Sequence, residues 1–263
     1  MNISCQSLLF ILSIVGTVVS GQVTNLLPMA KPEAVGLDPK KLKAVDEKMK
    51  DLIKEDRLAG GIVVVARKGK VVHFGTYGKR DLENNLPVEK DTIFRIYSMT
   101  KAITSVAALM LNEEGKLKFD DPLSKYFPSL QAMKVLDKDE LVEAKSEATV
   151  ADLLRHTSGL TYAWSSNKKI SQAFKDAGVL FRDKKVVPMV SGMDKVPLLF
   201  HPGTDWVYGC SSDVLGGVVE VASGIPLDQF FRERIFKPLQ MADTEFYVPA
   251  HKADRFAANY NYK

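Results

Sequence analysis

The sequence predicts a mixed α/β protein of the α+β kind, and three observations carry that reading. A helical pattern opens at Asp38, two β-rich runs flank a short glycine turn, and from Ser98 onward the apolar spacing is mainly helical. The 263 residues are 46% apolar and 26% charged, ample for a real core and unlike a disordered, collagen-like or disulfide-stapled chain. A formal charge of +4 is too small and too dispersed to point to nucleic acid as partner.

Before the first helix, Leu8 to Val19 is apolar or small, and no charge precedes Lys31. The run is too short to span a bilayer comfortably, and Ser20-Gly21 offers small residues for cleavage. Residues 1–20 are therefore expected to be a secretory signal, although the segment lacks Lys or Arg. A retained anchor or a buried first element are the alternatives. The expected protein is secreted, extracellular or periplasmic, with no membrane span after cleavage. Losing Cys5 leaves Cys210 alone, so no intramolecular disulfide is expected.

Asp38-Pro39 reads as N-cap and first helical residue. Leu42, Val45, Met49, Leu52 and Ile53 then recur at helical spacing, and Gly60-Gly61 is expected to end the segment. Ile62–Ala66 and Val71–Tyr77 flank Arg67-Lys68-Gly69-Lys70 and predict a hairpin, which needs further strands to be stable. Helices are expected over Lys101–Leu111, Thr149–Arg155, Lys169–Ala177, Ser212–Val221 and Leu227–Phe236.

The sequence lacks a Gly-x-Ser-x-Gly elbow, a Walker loop, a His-Glu-x-x-His and a cysteine pair for zinc. His73, His156, His201 and His251 are scattered, so no metal and no cofactor is implied. Ser-x-x-Lys occurs as Ser98–Lys101, Ser165–Lys168 and Ser166–Lys169. The last two sit in a polar stretch and read as solvated loop. Ser98 instead lies where Thr92–Tyr97 gives way to the nearly apolar run Ala102–Leu111, which predicts a buried helix with Ser98 at its start. Lys101 is out of place there, because a cation in the first turn opposes the helix dipole. A spacing of three puts both side chains on one face. Desolvation and the helix end are expected to lower the lysine's pKa and free it as a base; a surface lysine is the bland alternative.

Phe94-Arg-Ile-Tyr-Ser-Met-Thr-Lys101 resembles the nucleophile motif of the serine β-lactamase and penicillin-binding-protein superfamily, in its class C and esterase-like branch. Leu153–Leu160, His201–Trp206, Tyr208, Asp213–Gly216, Val221–Leu227 and Ile235–Thr244 agree in order, so the similarity covers about 33–263. The resemblance implies a two-lobed fold, an antiparallel sheet with flanking helices plus an all-helical lobe. It implies Ser98 as acylated nucleophile, Lys101 as its base, Tyr208 sharing the proton, and the Ser98 N–H as an oxyanion donor.

Two departures stand out. Tyr208-Gly209-Cys210 lacks the third-position Asn of the lactamases, and Cys210 reads as a small buried hydrophobe. The family's third motif, Lys-Thr-Gly or His-x-Gly, is not found downstream of Tyr208. The sheet is therefore expected to be incomplete and the sequence to be an N-terminal portion of an enzyme. His156 could serve as a general base, but its segment resembles a structural turn; Trp164 and Trp206 could line an acyl pocket or be plain core. Two functions follow: a serine hydrolase acting on a small ester, amide or peptide, or an inactive member that binds or assembles.

Overall fold

The computed structural model describes residues 28–179 and 185–261, in two units. The expected signal over 1–20, and Cys5 with it, lies outside the described residues. One unit holds the chain as far as Thr92 together with the segment from Ala257; the other runs from Ile93 to Phe256.

In the first unit, helix α1 (Pro39–Lys54) starts as predicted, with the Asp38 carboxylate accepting the Lys40 N–H at 2.8 Å. It stops earlier than expected. Gly60-Gly61 opens strand β1 (Gly60–Arg67), because a Cβ on Gly60 would stand 2.6 Å from the Lys79 carbonyl of the neighbouring strand. That neighbour, β2 (Lys70–Asp81), pairs antiparallel from Gly60↔Gly78 to Arg67↔Lys70. Lys68 and Gly69 both take left-handed backbone, φ 51° and 68°, the turn whose twist suits a hairpin. Strand β3 (Leu86–Pro87) completes a three-stranded sheet in the order β1-β2-β3. Tyr77 ties helix to sheet, since its hydroxyl donates to Asp46 of α1 and lies 3.0 Å from His73 Nε2. Burial and then the Asp46 carboxylate push the Tyr77 phenol up to about 12.

The second unit is mainly helical: α2 (Thr100–Glu113), α3 (Val150–Arg155), α4 (Lys168–Asp176), α5 (Val186–Ser191), α6 (Ser211–Ser223) and α7 (Leu227–Phe231). The helix predicted over Leu227–Phe236 is a short α-helix followed by a π turn over Arg232–Phe236. At the centre is α6, where Val214 to Val219 are all buried. Its two glycines permit that closeness: a Cβ on Gly216 would lie 2.8 Å from Leu227 Cδ2, and one on Gly217 2.9 Å from Val190 Cγ2. Against α6 lies α2, which buries Thr104, Ala107, Ala108 and Leu111.

The expectation that α2 is dry all round needs correcting. Val106 and Leu109 are 45% and 47% exposed, so one stripe of small residues is buried and the opposite stripe is not. A second hairpin, β4 (Lys134–Asp137) with β5 (Glu140–Glu143), was not predicted. Leu136 N–H extends it by donating to the Leu198 carbonyl at 2.9 Å. Among the described residues no single helix is long and apolar enough to cross a membrane.

Candidate active site

Ser98 lies in the 3₁₀ turn Tyr97–Met99, which runs directly into α2. Tyr97 has a left-handed backbone, φ 42°, rare for an aromatic residue and costing on the order of 1–3 kcal/mol. That bend ends the segment before it and leaves Ser98 exposed at the helix start. Lys101 follows three residues later, on the same face. Tyr208 lies in the loop just before α6.

The structure brings the three predicted residues together. Ser98 Oγ is 2.7 Å from the Tyr208 hydroxyl. Lys101 Nζ donates to Ser98 Oγ at 3.3 Å and to the Tyr162 hydroxyl at 3.4 Å, and stands 4.7 Å from the centre of the Tyr208 ring. One oxygen therefore faces a phenol and an ammonium at once.

Electrostatics assign the charges differently from the sequence-based expectation. Burial alone would lower Lys101, but the two tyrosines, Tyr208 first, outweigh it and hold the ammonium above its ordinary range. Tyr208 moves the other way: the Lys101 ammonium, then the Ser98 hydroxyl, bring the phenol below its usual value of 10.0. The expected lowering of Lys101 is thus reversed: beside the two tyrosines its shift is upward, and that of Tyr208 is downward.

Two polar neighbours escaped the sequence reading. Tyr162 is raised by burial and then by the charge of Asp213, and it sits edge-on to Tyr208 at 5.7 Å. Asp213, largely buried in the first turn of α6, is raised by burial while Lys101 pulls it down. The signal for Tyr162 was its place just after His156-Thr-Ser-Gly-Leu160; nothing local marked Asp213 beyond its motif.

His156 stacks on Tyr208, with ring centres 5.3 Å apart and planes at 27°. Trp164 stacks on Tyr162 at 4.3 Å and Trp206 lies 6.2 Å from His156. The indoles are 75% and 60% exposed, so neither is plain core. Cys210 is fully buried, and burial pushes its thiol up, which fits a small hydrophobe better than a nucleophile. His201 Nδ1 accepts the Lys145 N–H at 3.3 Å. Among the described residues no group of three or more His, Cys, Asp or Glu side chains could hold a metal ion.

On a mixed α/β scaffold with small antiparallel sheets, serine and lysine side chains and a tyrosine hydroxyl thus meet around one oxygen. The Beta-lactamase family model matches residues 45–263, and the chain belongs to that family. It is 34% identical over 234 residues to esterase EstB of Burkholderia gladioli, covering 88% of this chain and 57% of that protein. It is 31% identical over 205 residues to Monacolin J acid methylbutanoyltransferase of Aspergillus terreus, covering 73% and 49%. The solved structure of EstCE1, a hydrolase with promiscuous acyltransferase activity, superposes with a TM-score of 0.73 at 29% identity, covering 82% of this chain and 55% of that one. The chain spans about half the length of the curated relatives it matches.

Proposed function

We propose that this chain carries the nucleophile region of a serine hydrolase that forms an acyl-enzyme on Ser98 from a small ester, amide or peptide. The observation that carries the reading is the Ser98 Oγ lying 2.7 Å from the Tyr208 hydroxyl and 3.3 Å from Lys101 Nζ. In the phenolate form Tyr208 takes the Ser98 proton as Oγ attacks the carbonyl carbon. Lys101, kept positive, holds the phenolate and the developing oxyanion charge nearby. The Ser98 backbone N–H, at the start of a helix, supplies an oxyanion donor. Collapse expels the alcohol or amine, which receives the proton from Tyr208, and water then releases the acyl group by the same route in reverse. Exposed rings of Trp164 and Trp206 favour an apolar substituent beside the scissile bond.

A chromogenic short-chain ester and a fluorophosphonate probe test this directly. The expected result is covalent labelling and turnover that Ser98→Ala abolishes. The second reading is a non-catalytic family member that binds or assembles. An intact wild-type chain that takes no label would favour it.

A further inference from the structure

His156 meets the loop that carries Tyr208 at three points. His156 ends α3 with left-handed backbone, φ 59°. In that conformation its carbonyl oxygen accepts the Val207 N–H at 3.1 Å. Its ring nitrogen Nδ1 accepts the Gly209 N–H at 3.4 Å. Its ring face lies against the Tyr208 ring at 5.3 Å. The residues on either side of Tyr208 and the phenol itself are thus all held by the same side chain and carbonyl.

The far side of the loop is closed as well. A Cβ on Gly209 would stand 2.1 Å from the Leu160 carbonyl and 2.6 Å from Thr161 Cα, so the loop cannot slide that way. The turn that carries His156 is pinned to α6 by the buried pair Ser158 Oγ and Ser211 Oγ, 3.0 Å apart. Burial and then the charge of Lys101 hold the imidazole below its usual range, which keeps it neutral. Only a neutral ring with its proton on Nε2 has Nδ1 open to accept the Gly209 N–H.

We propose that His156 is the positioning residue for Tyr208, a neutral imidazole that fixes the phenol so that its hydroxyl stays on Ser98 Oγ. This rests on the reading of Tyr208 as the group that takes the serine proton. His156 itself transfers no proton; it acts through the phenol. Three neighbouring contacts made by one residue are what distinguish it from an ordinary helix-end histidine.

The test uses the whole chain and two substitutions. His156→Phe keeps a ring but removes the acceptor; His156→Asn tolerates the left-handed backbone and offers an amide oxygen. Ester turnover and fluorophosphonate inactivation are measured together with the tyrosinate absorbance of Tyr208, obtained by subtracting the titration of Tyr208→Phe. Because a misplacement of about 1 Å can cost about a hundredfold, His156→Phe is expected to slow acylation about ten- to a hundredfold with KM changed less than about twofold. Its Tyr208 titration should move up towards 10.0, the ordinary phenol value, and His156→Asn should recover part of both losses. Wild-type rate and an unmoved Tyr208 titration in a folded His156→Phe would overturn the inference while leaving Tyr208 in its role. Should His156→Phe fail to fold, His156→Gly, which accepts the left-handed backbone but carries neither ring nor acceptor, decides: an unmoved titration there has the same meaning. A Tyr208→Phe variant as fast as wild type would instead sink the underlying reading. The titration gives its answer even where turnover is low.

Discussion

Protons at Ser98 are distributed by charge. A phenol beside an ammonium ionises below its ordinary range, and the ammonium in turn holds its proton above its own. On the proposed mechanism, in which the ionised phenol takes the serine proton, the rate is expected to rise with pH through the Tyr208 ionisation, which lies below 10.0. Tyr208→Phe should remove that rising limb and lower kcat/KM for an ester about 10²- to 10⁴-fold. A pH–rate profile that keeps the limb in Tyr208→Phe would place the base elsewhere. Ser98 and Lys101 were legible from a spacing of three at the start of an apolar run. The charge on Lys101 was not, because Tyr162, one of the groups that sets it, lies 61 residues away.

Helix α3 shows how an element reaches the site. Thr149 Oγ1 accepts the Asp152 N–H at 3.2 Å, and the Asp152 carboxylate accepts the Thr149 N–H at 3.0 Å. The other carboxylate oxygen takes the Thr157 hydroxyl at 2.7 Å, next to His156. Burial would raise Asp152, yet the bonds from Thr149 and Thr157 outweigh it and the net direction is down. A depressed carboxyl stabilises the fold at pH values above its unfolded pKa and loses that contribution as pH falls through its folded value. Asp152→Ala should therefore destabilise the protein by about 1–3 kcal/mol at neutral pH. In thermal unfolding the gap to wild type should narrow below about pH 4, near the unfolded carboxyl pKa. A constant gap would show that packing, not the carboxylate, is responsible. Thr149 was readable as the start of α3. The β4–β5 hairpin was not, because its turn is built on Lys138 and Asp139 in left-handed backbone, without the glycine or asparagine that announces such turns.

At the scale of the whole molecule the buried mass is unevenly distributed. Among the described residues the largest fully buried side chains, such as Phe174, Phe230, Phe231, Leu111 and Leu215, all belong to the unit from Ile93 to Phe256. In the other unit α1 buries no residue fully, and β1 is an outer strand of its sheet. Hydrogen exchange is accordingly expected to be slowest in α6 and the buried stripe of α2, and faster in α1 and β1. Equal protection of β1 and α6 would contradict that ordering. The succession of helix, hairpin and helical region was legible in apolar spacing. The two-lobed plan came only with the resemblance, because periodicity reports which face of an element is dry and not what covers it. Val106 and Leu109 show the gap: nothing in an all-apolar run says which stripe stays open.

Cys210 gives the same molecule an internal stopwatch. A thiol that is buried and pushed away from ionisation reacts with an uncharged maleimide only during the moments when its surroundings part. It stands two residues after Tyr208, and the serine that follows it is the one bonded to Ser158. The pace of its alkylation therefore records how often the start of α6 opens.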